Sequence, residues 1–91
     1  MKLKEILNGI DYKLIKGNIN TEIKDISYDS REIKENDAFI CLIGIDTNGH
    51  NYIKDAIQKG CKCIIICQEI EKIKEEVTII KVKDTRTTLS Y

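Results

Sequence analysis

The chain has 91 residues, 42% hydrophobic and 33% charged, a balance that fits one soluble globular domain with a modest core and excludes a disordered tail. Its fifteen basic and fifteen acidic side chains cancel, so the Lys/Arg excess on which general nucleic-acid binding depends is missing. No apolar run reaches the length of a membrane span, and "MKLKEILNGI" is too short and too interrupted by charge for a signal peptide, so a cytoplasmic location with no nucleic-acid or membrane partner is expected.

Leu3, Ile6, Leu7 and Ile10 recur at helical spacing, which predicts a short helix over residues 2–9 with Gly9 suited to its C-terminal cap. Residues 11–20, with Gly17 and Asn18, read as a loop holding a short extended piece. Ile23, Ile26 and Tyr28 mark an irregular strand edge. The apolar alternation then breaks on Asp29, Ser30 and Arg31 and, apart from Ile33, resumes only at Ala38. "ENDA" supplies a turn. Residues 38–43 are continuously apolar, as a strand buried on both faces would be.

"GIDTNGH" follows as a loop that opens on Gly44 and closes near Asn48 and Gly49, where positive φ angles cost little. A helix is predicted over 51–59, with Ile53, Ala56 and Ile57 on one face and Gly60 as its stop. "CKCIIIC" reads as a second buried strand, so strand, helix and strand form a short βαβ unit with parallel strands and a right-handed crossover. Residues 69–76 suggest a short charged helix with Ile70 and Ile73 inward. "VTIIKV" is a third strand, and "KDTRTTLSY" a connection. The expected fold class is α/β: a small mixed sheet with a βαβ unit and flanking helices.

The four cysteines read as small buried apolar residues, with Cys61, Cys63 and Cys67 on one face of an extended strand and Ile64 and Ile66 on the other. A disulfide framework does not suit a chain without an export signal. A zinc site would need ligands converging from a turn, and no CxxC knuckle is present. No metal site is expected, and a redox or metal module is a distant reading.

Ligand sites in α/β sheets lie beyond the carboxyl ends of the strands. Two segments qualify, 28–31 and 44–50. Amides in a glycine-containing turn can hold phosphate or a carbonyl. Ser30 and Thr47 each offer a donor and an acceptor, which matches the edge of a base such as uracil. Tyr28 can stack on such a base or close the pocket from the side. Each of these residues also has a plain structural use. Asp29 and Ser30 can cap a turn, Arg31 can pair with Asp29, Glu32 or Asp37, and His50 can cap or pack at the start of the helix. The chain has no Walker loop, no activated carboxylate pair and a single histidine, so no catalytic residue is expected in it. The residues alone point to a small α/β binding domain.

"YDSREIKENDAFICLIGIDTNGHNYIKDAIQKGCKCIII" resembles the N-terminal domain of the Mur ligases, ATP-dependent amide-forming enzymes of peptidoglycan precursor synthesis. The family pattern is matched by Asp29-Ser30-Arg31, Asn36-Asp37, Ala38-Phe39-Ile40, Gly44, Asn48-Gly49-His50, Ala56 and Gly60-Cys61. Asn36 stands where glycine is usual, and Asn48 where aspartate is usual. The closing "VKDTRTTLSY" is similar to members that add meso-diaminopimelate or L-lysine to UDP-N-acetylmuramoyl-L-alanyl-D-glutamate. Members that add D-alanyl-D-alanine carry a similar triplet and glycine loop.

The resemblance implies a UDP-binding N-terminal domain over 1–83, with 84–91 beginning a linker to a central ATP-binding domain. It implies uridine-side contacts from Tyr28, Ser30, Ile45, Asp46 and Thr47, with Asp29, Arg31, Gly44, Asn48, Gly49 and His50 supporting the site. The UDP-N-acetylmuramoyl dipeptide and the central and C-terminal domains of the same chain are the implied partners. ATP and Mg2+ belong to the full-length enzyme, in which the D-glutamate γ-carboxylate is phosphorylated and the incoming amine attacks. No cofactor is expected in this part of the chain, which would position the nucleotide sugar without turning it over. A non-enzymatic interaction domain, indifferent to uridine nucleotides, is the alternative from another class.

Overall fold

The computed structural model describes residues 1–86. Helix α1 (Leu3–Ile6) is shorter than the spacing of Leu3, Leu7 and Ile10 predicts. Ile10 N–H already bonds to the Leu7 carbonyl, and Gly9 turns the chain with φ of 78°, because the chain must reverse before strand β1 (Tyr12–Lys16). β1 is the short extended piece expected within residues 11–20. It pairs antiparallel with β5 (Thr78–Val82) and lies at the edge of the sheet. Its Leu14 and Ile15 stay exposed, so burial periodicity gave no sign of a strand there.

The rest of the sheet is parallel. β2 (Ile26–Ser27) pairs with β3 (Ala38–Ile40), β3 with β4 (Cys63–Ile66) and β4 with β5, giving the order β1-β5-β4-β3-β2. Between β3 and β4 the chain passes through a 3-10 turn (Gly49–Tyr52) and helix α2 (Ile53–Gln58), the expected βαβ unit. Gly60, with φ of 95°, ends α2 as its N–H bonds to the Ile57 carbonyl. Asn36 takes φ of 71°. Among non-glycine residues asparagine tolerates that left-handed conformation best, so its presence where glycine is usual leaves the turn intact. Asp37 is buried and closes this turn, its carboxylate accepting from Lys34 N–H at 2.9 Å.

Both faces of the sheet are covered, which is why the strands are continuously apolar. Phe39, Ile64 and Ile79 face Ile53 and Ala56 of α2 on one side. Ile40, Ile65 and Ile80 face Leu3, Leu7 and Ile23 on the other. Phe39, Ile40, Ile64, Ile65 and Ile80 are fully buried, and each contributes roughly 1.5–3 kcal/mol by leaving water.

Two expectations are corrected. Residues 69–76 are not helical. Ile70 and Ile73 do pack inward, and Lys16 of β1, far away in sequence, donates to the carbonyls of Ile73 and Glu75 at 2.9 and 2.6 Å, so the segment is held by contacts from outside itself. The cysteines also do not share one face. Cys61 lies in the turn after α2, outside β4, so strand alternation does not govern it. It joins Ile64 and Ile66 on the α2 side, whereas Cys63 points to the α1 side. All four thiols are free. Thr85 is buried, its hydroxyl 3.7 Å from the Cys67 sulfur, so the segment that starts at 84 lies against the domain as far as residue 86. The remainder of the expected linker, 87–91, lies outside the described residues.

Candidate functional site

β2 and β3 run side by side and in the same direction, so the loops that leave their carboxyl ends emerge next to each other. Between these loops and α2 lies a cleft of about 580 Å3. The loop after β2 supplies one wall. The Asp29 carboxylate accepts from Arg31 N–H at 2.9 Å and caps a 3-10 turn (Ser30–Glu32). Arg31 folds back on it with Nε and a terminal nitrogen, at 3.0 and 2.8 Å. These side-chain hydrogen bonds hold the Asp29 carboxyl at about 2, below the usual carboxylate range, and the same carboxylate raises Arg31. Asp29 and Arg31 therefore satisfy each other. Ser30, between them, lines the cleft while only 8% exposed, and its carbonyl accepts from Lys59 Nζ at 2.9 Å. A lysine at the end of α2 thus fixes the height of the Ser30 turn.

The loop after β3 supplies the opposite wall. Gly44 N–H bonds to the Thr47 carbonyl and Gly49 N–H to the Leu42 carbonyl, both at 2.7 Å, and Ile43 bridges Asn48. This tight return turns Gly44, Thr47 and Gly49 to the cleft. Ile45 is fully exposed and Asp46 exposed. Both stand at the tip of the loop, away from the cleft lining. Asn48 and His50 lie behind the wall. The Asn48 amide oxygen accepts from His50 N–H at 3.0 Å and pairs with His50 Nδ1 at 2.6 Å, while His50 Nε2 accepts from Cys67 N–H at 3.1 Å.

Of the expected residues, then, Tyr28, Asp29, Ser30, Arg31, Gly44, Thr47 and Gly49 converge, and Ile45, Asp46, Asn48 and His50 do not line the cleft. Six further lining residues were not foreseen as part of a site: Phe39 and Leu42 at the floor, and Tyr52, Asp55, Lys59 and Arg86. Tyr52 directly follows the glycine loop, a position that could have drawn notice. Lys59 has no sequence signal, since nothing in the pattern shows that α2 ends beneath Ser30. Arg86 donates to the Ile43 carbonyl at 3.0 Å, which brings the segment after β5 to the cleft. Tyr28 and Tyr52 are 59% and 42% exposed, enough open ring surface for a planar base. The cleft can accept hydrogen bonds from a ligand, donate to it, stack on it and present cationic groups at its rim. Among the described residues no cluster of His, Cys, Asp or Glu is arranged to hold a metal ion, and no helix is long and apolar enough to cross a membrane.

A family profile described as "Mur ligase family, catalytic domain" matches residues 22–91. The chain is 48% identical over 90 residues to a UDP-N-acetylmuramoyl-L-alanyl-D-glutamate--2,6-diaminopimelate ligase of Clostridium perfringens, covering 99% of this chain and 18% of that one. The chain belongs to the Mur ligase family. A ligase of the same description from Clostridium tetani is 45% identical, with 99% of this chain and 19% of that protein covered. Among solved structures, MurF from Acinetobacter baumannii superposes with a TM-score of 0.81 at 30% identity, over 97% of this chain and 19% of that one. The five-stranded sheet with its helices is the fold of the family's N-terminal domain. The chain spans less than a fifth of the length of these relatives.

Proposed function

We propose that this domain holds the UDP end of UDP-N-acetylmuramoyl-L-alanyl-D-glutamate for a cytoplasmic peptidoglycan-precursor ligase that adds meso-diaminopimelate or L-lysine. The observation that carries the reading is the convergence of Ser30 and Thr47 on one cleft at the carboxyl ends of adjacent parallel strands, with Tyr28 and Tyr52 exposed beside it. Ser30 and Thr47 match the alternating donor and acceptor edge of uracil, and a tyrosine ring covers its face. Ile45 and Asp46, at the tip of the loop, contact the ligand only where it extends out of the cleft. The names of the relatives support diaminopimelate addition.

The domain spans 1–83, and the rest of a longer chain supplies the central and C-terminal domains. ATP and Mg2+ do not fit the residues present: the sequence has no Gly-Lys-Thr phosphate loop, and no metal-holding cluster occurs among the described residues. This domain's part is to bind and orient the nucleotide sugar, excluding water from the base.

A second reading, addition of D-alanyl-D-alanine, is favoured by the superposition on MurF. Offering the full-length protein ATP with UDP-N-acetylmuramoyl-L-alanyl-D-glutamate and meso-diaminopimelate or L-lysine, or with the diaminopimelate-extended acceptor and D-alanyl-D-alanine, separates these readings. The domain's own role is tested by titrating UDP-N-acetylmuramoyl-L-alanyl-D-glutamate into the 15N-labelled chain. Amide shifts at Ser30 and Thr47 are expected, and Ser30→Ala should weaken binding roughly 2- to 10-fold, the range for one lost hydrogen bond. A spectrum unchanged at millimolar ligand refutes the reading.

A further inference from the structure

His50 is 9% exposed and each of its ring nitrogens has a partner. The Asn48 amide is oriented by its own bonds: its oxygen accepts from His50 N–H, and its nitrogen donates to Gln68 Oε1 at 3.2 Å. An oxygen therefore faces Nδ1 at 2.6 Å, so Nδ1 carries the proton. On the other side Nε2 meets an N–H donor, that of Cys67 at 3.1 Å, so Nε2 is bare. The two partners select a single form of the ring, the neutral Nδ1–H tautomer. They also belong to different parts of the fold. Asn48 lies in the loop that carries Thr47 and Gly49 into the cleft, and Cys67 and Gln68 follow directly on β4.

We propose that His50 is a positioning residue for the cleft: its neutral Nδ1–H imidazole ties the Gly44-to-Gly49 wall to the end of β4, and ligand affinity depends on that tie. The inference rests on the cleft being the ligand site. Protonation would place an Nε2–H against the Cys67 N–H, two donors facing each other, and the tie would open. Burial lowers the His50 pKa from its ordinary value. The charged or titratable groups on the surrounding segments are Asp46, Tyr52, Lys54, Asp55, Glu69, Asp84, Arg86 and the thiols of Cys41 and Cys67. None of them contributes to that shift, whose cause is desolvation.

The test follows the ring, the loop and the ligand in one pH series on the 15N-labelled chain, from about pH 7.5 to about pH 4, a range extended downward because burial lowers the ring below the ordinary histidine value. UDP-N-acetylmuramoyl-L-alanyl-D-glutamate suits this range, since its pyrophosphate diester keeps its charge across it. At the upper end, two-bond 1H–15N spectra should show Nδ1 protonated and Nε2 not. The amides of Thr47 and Gly49 should move with the midpoint of the ring, and affinity should fall roughly tenfold across that midpoint, as one broken buried hydrogen bond implies. Asn48→Asp puts a carboxylate beside Nδ1, favours the imidazolium and should raise the ring, loop and affinity midpoints together by about one unit or more.

A mixed or Nε2–H tautomer overturns the proposal. So does an affinity that ignores the ring's titration, or a midpoint for binding that stays put in Asn48→Asp while the ring's moves. If no ligand binds even at the upper pH, the functional reading fails. The tie is then judged by the loop amides alone: following the ring upholds it, and indifference refutes it.

Discussion

Gly49→Ala tests whether the glycine loop is pinned to the sheet by space alone. A Cβ added at Gly49 would lie 2.9 Å from Cys41 Cα and from Leu42 N, and 3.2 Å from the Cys41 carbonyl carbon. These are backbone atoms at the end of β3, and they cannot retreat, because Cys41 is fully buried and its N–H bonds to the Ile65 carbonyl at 2.9 Å. The loop must move instead, at the expense of the 2.7 Å bond from Gly49 N–H to the Leu42 carbonyl. Overpacking of this kind costs about 1–3 kcal/mol. At about 4–8 °C per kcal/mol for a domain this small, Tm should drop by roughly 4–24 °C. Gly44→Ala is the control in the same loop. Its Cβ would meet nothing closer than the Thr47 carbonyl oxygen at 3.4 Å, an ordinary contact, and the cost should stay within about 0.5 kcal/mol. Thermal melts of the three proteins followed by circular dichroism give the comparison. A Gly49→Ala melt within about 2 °C of the parent, or a Gly44→Ala melt as low as that of Gly49→Ala, would refute the steric account.

Asp29 and the thiols offer two further checks. The hydrogen bonds from Arg31 hold the Asp29 carboxyl at about 2, so the favourable contribution of the pair is in place above the ordinary carboxylate value and is lost as pH falls through about 2. Carboxyl 13C shifts should show that midpoint, and in Arg31→Ala it should rise toward 3.8. Identical midpoints would mean that the pair does not form in solution. Burial pushes the Cys61 thiol up to about 11 and raises Cys41 and Cys63 further. In the native chain a thiol reagent should therefore label the half-buried Cys67 first, and Cys41 and Cys63 only when denaturant unfolds the sheet. Equal, rapid labelling of all four without denaturant contradicts the packing.

The sequence by itself determined the parts of this protein that local pattern controls. Unbroken apolar runs at Ala38–Ile40 and Cys63–Ile66 marked strands buried on both faces, and the strand-helix-strand order with Gly60 as a stop required parallel pairing between them. The triplet Asp29-Ser30-Arg31 and the glycine loop were legible as candidate segments because each interrupts an apolar run next to a strand end, and residues of both wall the cleft. "ENDA" was legible as a turn from its residues, and that Asn36 stands there in place of glycine was implied by the resemblance to the family.

Tertiary structure decided what depends on distant partners. β1 carries no burial signal and exists because β5 offers it an edge. Residues 69–76 have helical spacing in Ile70 and Ile73, yet stay non-helical with Lys16 bonded to two of their carbonyls. The same holds at the cleft. Lys59 is 29 positions from Ser30 and still sets that turn, Arg86 arrives from beyond β5, and His50 faces Cys67 rather than a ligand. Spacing along the chain specifies which side of its own element a residue occupies. Which other element it meets is fixed only once the sheet order β1-β5-β4-β3-β2 brings the strand ends together.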